Sequence, residues 1–100
     1  MTLKIEVDLS PAFQAALPCS KFSVKLEPDE ATVRGLLHQV SKEYGEKIRP
    51  LLFEKEETSI LSGLMVLVND RIFTGTALNQ EDIPLMDKDK VSLLYFVSGG

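Results

Sequence analysis

The segment TVRGLLHQVSKEYG, residues 32–45, decides the fold, because it carries the helical periodicity of the chain. Its apolar residues fall at helical spacing and form one stripe: Val33, Leu36, Leu37, Val40 and Tyr44. Thr32 is a residue type that caps a helix by accepting from its first free backbone N–H groups, and Gly45 stands where a helix commonly ends. Gly35 costs about 1 kcal/mol relative to alanine inside a helix, so we expect either a close contact there or simple tolerance. One amphipathic helix is therefore predicted.

Two segments of strict alternation precede this helix. Residues 3–9 alternate apolar side chains with Lys4, Glu6 and Asp8, and residues 22–27 repeat the same design. A period of two predicts strands with one face on the core and one in water. Ser10-Pro11 interrupts the first pattern, so residues 10–20 are expected to connect a wide hairpin.

The pattern after the helix is weaker at first. Arg49-Pro50 predicts an extended or turn dipeptide, and residues 51–53 predict a short helical turn on the core. Residues 64–68, LMVLV, are apolar throughout, which predicts a third strand that is well covered. Asn69-Asp70 favours a tight reversal into a short return strand at residues 71–73.

The remaining residues lead into a final strand. A loop is expected through Gly75 and Asn79, and a polar turn at residues 87–90, DKDK, precedes the last apolar run. The order is then strand, strand, helix, strand, short strand and final strand. A right-handed crossover places the last strand beside the first, with the helix across one sheet face. This predicts a single α+β domain over residues 1–100, a β-grasp fold with a mixed sheet of four to five strands.

Composition bounds the function. The 100 residues are 44% hydrophobic and 26% charged, with a net charge of -4, which supports one core and argues against a nucleic-acid partner. The negative charge favours a protein partner with a basic surface. The single cysteine, Cys19, excludes an intrachain disulfide and a thiolate-built zinc or iron–sulfur site. With no signal-peptide pattern and no run of 18 apolar residues, we expect a soluble, cytoplasmic protein with no membrane partner.

The chain ends in VSLLYFVSGG, residues 91–100. An apolar run of strand length followed by two glycines predicts a strand that projects a flexible carboxyl tail, residues 97–100. Gly99 and Gly100 carry no side chain, so such a tail can be threaded into the active site of another protein. The alternative is an ordinary chain end.

Alternation along this last strand predicts two different faces. Leu93 and Tyr95 should face the core, whereas Leu94 and Phe96 should face the side that the first two strands make polar. They would then form an exposed apolar patch next to the tail, which is typical of a docking surface. The alternative is that residues 49–63 cover them.

Four stretches together resemble the MoaD/ThiS family of ubiquitin-like sulfur-carrier proteins, which includes the small subunit of molybdopterin synthase. They are DEATVRGLL at 29–37, VLVND at 66–70, PLMDKDKV at 84–91 and VSGG at 97–100. Two positions depart from the family pattern. Tyr95-Phe96 stands where members commonly have one or two prolines, and Gly35 where members often have the glutamate of a capping box.

The resemblance implies a mechanism in which Gly100, preceded by Gly99, is the reactive end. An E1-like enzyme of the MoeB/ThiF type would use ATP to adenylate Gly100, and a sulfur donor such as a cysteine desulfurase or rhodanese would convert it to a thiocarboxylate. A large subunit of the MoaE type would receive the sulfur. Leu94, Phe96, Val97 and Ser98 would contact these partners. The chain itself would bind no cofactor or metal.

The sequence shows no motif for independent catalysis. Cys19 and the one histidine, His38, have no catalytic spacing, and Asp87 and Asp89 are expected to be turn residues rather than calcium ligands. Length and the insert at 49–63 favour the molybdopterin branch. A ubiquitin-like protein modifier, a carrier for thiamine, cysteine or tRNA thiolation, and a plain interaction module remain open.

Overall fold

The computed structural model describes residues 2–10, 13, 21–54 and 59–95. The strands are β1 (Leu3–Leu9), β2 (Lys21–Leu26), β3 (Leu64–Val68), β4 (Arg71–Thr74) and β5 (Lys90–Tyr95). The helices are α1 (Val33–Tyr44), α2 (Arg49–Leu52) and α3 (Gly75–Gln80), with short 3₁₀ turns at Pro28–Glu30 and Gly45–Lys47. The predicted order of main elements is therefore confirmed.

The five strands form one mixed sheet in the order β2-β1-β5-β3-β4. β5 runs parallel to β1, with Val7 opposite Val91, and all other neighbours are antiparallel. The last strand thus lies at the centre of the sheet, and its place beside the first strand is the one predicted from the sequence. This is the predicted β-grasp arrangement.

Helix α1 packs its apolar stripe against one face of the sheet. Val33, Leu36, Leu37 and Val40 are fully buried, and Tyr44 is half-buried. The Thr32 hydroxyl accepts a hydrogen bond from the Gly35 backbone N–H at 3.0 Å, which confirms the predicted cap. At the other end, Gly45 adopts a φ of 70°, a conformation that favours glycine.

Gly35 has a packing reason. A Cβ at this position would collide with the backbone carbonyl oxygen of Glu30, in the 3₁₀ turn before the helix. The close contact expected from the sequence is therefore present. Any side chain at position 35 would displace this turn.

The connection at 49–63 differs from its prediction in one respect. Arg49 and Pro50 are the first residues of α2 rather than the expected extended or turn dipeptide. Proline is tolerated there because the backbone N–H groups of the first helical turn have no acceptor within the helix, so the missing N–H of proline removes no hydrogen bond. The segment packs beside α1, where the His38 ring stacks on Phe53 with ring centroids 4.6 Å apart.

Helix α3 was expected to be a loop. The Thr74 hydroxyl caps it by accepting from the Ala77 N–H at 3.2 Å. A Cβ on Gly75 would collide with the Leu61 carbonyl oxygen, so the glycine lets α3 approach the 49–63 connection. Of the two residues that suggested a loop, Gly75 permits this close approach and Asn79 makes hydrogen bonds to neighbouring segments.

Asn79 ties three parts of the chain together. Its side-chain oxygen accepts from the Ile60 N–H at 2.8 Å and its amide nitrogen donates to the Ile60 carbonyl at 2.9 Å. Arg34 of α1 also donates to the Asn79 side-chain oxygen, at 3.1 Å. The 49–63 connection is therefore fastened to both α1 and α3.

Asp87 and Asp89 are turn residues, as predicted. Asp87 accepts from the Lys4 backbone N–H at 2.8 Å, while Asp89 accepts from the Met86 N–H at 2.8 Å and from the Asn69 side-chain amide at 3.1 Å. Asn69 itself has a φ of 56°, which suits the tight reversal between β3 and β4. Both carboxylates thus hold the turn that launches β5.

Candidate functional site

Strand β5 carries the candidate site. It is the third of five strands, held by β1 on one side and β3 on the other. Strand β5 ends at Tyr95, and it is paired with a neighbouring strand on both edges. Phe96, Val97, Ser98, Gly99 and Gly100 lie outside the described residues, and their expected roles stay predictions.

The two faces of β5 differ as predicted. Val91 and Leu93 are fully buried on the α1 side of the sheet, whereas Ser92 and Leu94 point to the opposite side and are half-buried. We call that opposite side the open face. Leu94 therefore lies on the open face, one position before the last strand residue.

Three further apolar side chains lie on the open face. Met65 of β3 is paired with Leu94, Leu67 is the next outward residue of β3, and Leu67 is paired with Ile72 of β4. Met65 and Leu67 are half-buried, and Ile72 is 60% exposed. These four residues, Met65, Leu67, Ile72 and Leu94, form a contiguous apolar patch across three strands, here called the open-face patch.

Sequence reasoning found only Leu94 of this patch. The unbroken apolar run of β3 predicted a well-covered strand. Leu64, Val66 and Val68 are buried, whereas Met65 and Leu67 are only half-buried on the open face. The available signal was Ile72, an apolar residue on a short return strand between Arg71 and Phe73. Its partner in the register, Leu67, would have extended the patch.

The described part of the 49–63 connection does not cover the patch. Leu52, Phe53 and Ile60 are buried in the core on the side of α1, and Phe53 stacks on His38 of that helix. Within the described residues, the alternative that this insert shields Leu94 is therefore excluded. An uncovered apolar patch of this kind is typical of a protein-interaction site.

The other half of the open face is polar. Outward residues of β1 and β2 are Lys4, Glu6, Asp8, Lys21, Ser23 and Lys25, all of them exposed. A shallow hollow of about 430 Å³ lies over β2, β1 and β5, between these side chains and those of Lys90 and Ser92. The open face thus combines an apolar half beside the tail strand with a charged half across β1.

The remaining sequence candidates have structural roles or fall outside the description. His38 is exposed and stacked on Phe53, and Cys19 lies outside the described residues. In the described part of the chain, no three His, Cys, Asp or Glu side chains converge on a possible metal position. Helices α1, α2 and α3 are each too short to cross a membrane.

Comparison with protein families gives one informative result. The model of the ThiS family matches residues 15–100, which includes the terminal glycines. A comparison with curated proteins finds no match.

Solved structures share the fold. SAMP1 from Haloferax volcanii superposes with a TM-score of 0.79 at 18% identity, covering 97% of this chain and 99% of that one. A Pyrococcus furiosus protein assigned as molybdopterin converting factor subunit 1 gives 0.69 at 23% identity, covering 95% and 99%. The Amycolatopsis orientalis BexX/CysO complex gives 0.69 at 19% identity, covering 96% and 99%. These similarities establish the ubiquitin-like β-grasp fold.

Proposed function

The chain belongs to the ThiS family of ubiquitin-like sulfur carriers, and on that premise we propose that it is the small subunit of a molybdopterin synthase. Its carboxyl-terminal Gly100 is activated by a partner, loaded with sulfur and delivered into a synthase. The observation that carries the proposal is the family match through residue 100, on a chain whose last strand is the central strand of the sheet.

The first step creates a leaving group. A free carboxylate is a poor electrophile, so an E1-like enzyme of the MoeB/ThiF type joins the Gly100 carboxylate to the α-phosphorus of ATP and releases pyrophosphate. The acyl carbon then carries AMP. ATP belongs to that enzyme's active site, and this chain contributes the carboxylate.

The second step loads sulfur. A donor such as a cysteine desulfurase or rhodanese carries a persulfide, whose terminal sulfur bonds to the Gly100 acyl carbon while AMP departs. A thiol reductant then supplies two electrons that cleave the sulfur–sulfur bond of the resulting acyl disulfide, which frees the donor's cysteine thiol. The product is a thiocarboxylate. It is a strong nucleophile at neutral pH because its sulfur is ionised, just as a thiolate is a better nucleophile than a thiol. A large subunit of the MoaE type then places it against the substrate.

This chain's own residues do two things in that cycle. Gly99 and Gly100 keep the end slender enough for a closed channel, and the paired strand β5 fixes the point from which the tail starts. The open-face patch supplies the docking surface, so that Leu94, with Phe96, Val97 and Ser98 beyond it, contacts each partner while the tail is inserted. Docking through a patch separate from the reacting atoms positions Gly100 without adding a side chain to the channel.

Support for the molybdopterin branch comes from chain length and from the 49–63 connection. The Pyrococcus furiosus neighbour assigned to molybdopterin conversion agrees with this choice at the level of fold. A second candidate is a ubiquitin-like modifier, in which a substrate lysine amine rather than sulfur displaces AMP. The neighbour SAMP1, a small archaeal modifier protein, has the same fold and gives this candidate its specific support.

Deletion of Gly99-Gly100 tests the proposal. The truncated chain, incubated with the host's activating enzyme, ATP and a sulfur donor, should release no pyrophosphate and form no thiocarboxylate, while its circular dichroism matches that of the full chain. A truncated chain that still supports molybdopterin formation would contradict the proposal. Host proteins carrying a Gly-Gly remnant on lysine would instead support the modifier.

A further inference from the structure

The charged half of the open face has the opposite sign to the chain. Outward positions of the described strands carry four lysines, Lys4, Lys21, Lys25 and Lys90, against two carboxylates, Glu6 and Asp8. These outward strand positions are thus net positive by two charges, and the Asp87 carboxylate lies beside Lys4 in the turn before β5. The rest of the chain has seven Lys and Arg against thirteen Asp and Glu, because the totals are 11 and 15.

The arrangement of these charges is not self-compensating. Lys4 lies directly opposite Lys25 in the β1–β2 register, and like charges in directly opposed positions destabilise a sheet. Lys21 is opposite Asp8, and Lys90 is opposite Glu6, so these two pairs are balanced. The unbalanced pair lies on the end of the sheet away from the tail.

The lysines also adjoin the open-face patch. Ser92 separates Asp8 from Leu67 across the sheet, and the small side chains of Ser23 and Ser92 leave the hollow between Lys21, Lys90, Glu6 and Asp8. A partner seated on Leu67 and Leu94 therefore extends over this hollow and faces the lysines at its margin. At low salt, dissolved ions screen the field of these lysines only weakly over the distance to a docked partner.

We propose that the open face selects an apolar partner surface bordered by acidic side chains, with Lys21 and Lys25 as specificity-determining residues. This inference rests on the proposed function, since the partner meant is the enzyme that activates Gly100. It reverses the expectation drawn from net charge, which favoured a basic partner. Asp and Glu of the partner would lie over the hollow and the Lys4–Lys25 pair, and the field would raise the association rate.

Charge reversal tests the inference. The variant Lys21→Glu/Lys25→Glu changes the open face, while Lys42→Glu/Lys47→Glu makes the same change of net charge at exposed positions on α1 and in the 3₁₀ turn that follows it. The probe is the host's activating enzyme with ATP, and the readout is pyrophosphate release as a function of carrier concentration. Measurements at low and at high salt separate charge effects from other effects.

We expect the open-face variant to raise KM about tenfold or more at low salt with kcat unchanged, the range that electrostatic steering covers. High salt should raise the KM of the parent chain and reduce the difference in KM between the parent chain and the open-face variant. The control variant should stay within about twofold. The neutral variant Lys21→Gln/Lys25→Gln should give a smaller increase in KM. It replaces the charge-reversed variant in the test if that variant folds poorly.

Two results would overturn the inference in distinguishable ways. Equal KM values for the parent and both open-face variants would reject the acidic partner while leaving the proposed function intact. No pyrophosphate release from the parent chain would reject the proposed function, and the inference with it.

Discussion

The two faces of the sheet are built for different purposes. On the α1 side, the 49–63 connection is fastened by Asn79, which makes two hydrogen bonds to Ile60, and by the close approach of Gly75 to Leu61. On the open face, the patch is covered by no described segment and Ile72 is 60% exposed. Within the described residues, the chain thus buries its core on one face of the sheet and leaves an apolar patch open on the other, which is the face that we propose for partners.

The largest stability effect should come from filling the contact at Gly75. Gly75→Ala places a Cβ against the Leu61 backbone carbonyl, so helix α3 and the 49–63 connection must separate. We expect the free energy of unfolding to fall by about 1–3 kcal/mol, the usual cost of overpacking, as measured by urea denaturation.

Gly63→Ala is the matched control, because a Cβ there would meet nothing within 4 Å. Its unfolding free energy should stay within about 0.5 kcal/mol of the parent. Equal effects at the two glycines would show that the approach of α3 to Leu61 contributes nothing.

Removing the Asn79 side chain should have the next largest effect. Asn79→Ala leaves the Ile60 N–H and carbonyl without their partner, and it removes an acceptor of Arg34. Unsatisfied polar groups of this kind cost about 1–3 kcal/mol, and the partial exposure of this site favours the lower end. Hydrogen exchange should show faster exchange of the Ile60 amide.

The neighbouring Gln80→Ala, at an exposed position, should leave both the stability and the Ile60 exchange rate unchanged. Unaltered exchange at Ile60 in Asn79→Ala would contradict the fastening role of Asn79.

A substitution on the open face should affect partner binding strongly and stability little. Ile72→Asp introduces a charge at an exposed position of the open-face patch, so unfolding free energy should change by less than about 0.5 kcal/mol. Docking should weaken about tenfold or more, because a carboxylate must then be desolvated against the partner. Titration calorimetry with the host's activating enzyme measures this.

Met86→Asp is the control for that experiment. Met86 is 73% exposed, but it lies in the turn before β5 and outside the patch. Its affinity should equal that of the parent. A similar loss of affinity for both substitutions would show that general exposure, rather than the patch, governs docking.

Sequence periodicity was sufficient for the main elements because those depend on neighbours in the chain. The Thr32 cap, the apolar stripe of α1 and the alternation that separates Leu93 from Leu94 are all local patterns, and all are confirmed. The position of β5 beside β1 was predicted from the handedness of crossovers, which constrains the chain without any knowledge of side-chain contacts.

The missed features depend on contacts between distant residues. Asn79 is separated from Ile60 by 19 positions and from Arg34 by 45, so its amide could not be distinguished from that of a loop residue. Met65 and Leu67 carry no mark of exposure in an unbroken apolar run; only the register with β4 and β5 shows which face they occupy. The tail at 97–100 was predicted from sequence, and its role stays a prediction.

The most direct test of the central claim is the intact mass of the chain. Protein purified from its own host under sulfur-replete conditions, without a tag on the carboxyl terminus, should contain a fraction heavier by the difference between one sulfur and one oxygen, localised to Gly100. Unmodified protein alone, even after incubation with the activating enzyme, ATP and a sulfur donor, would contradict the account.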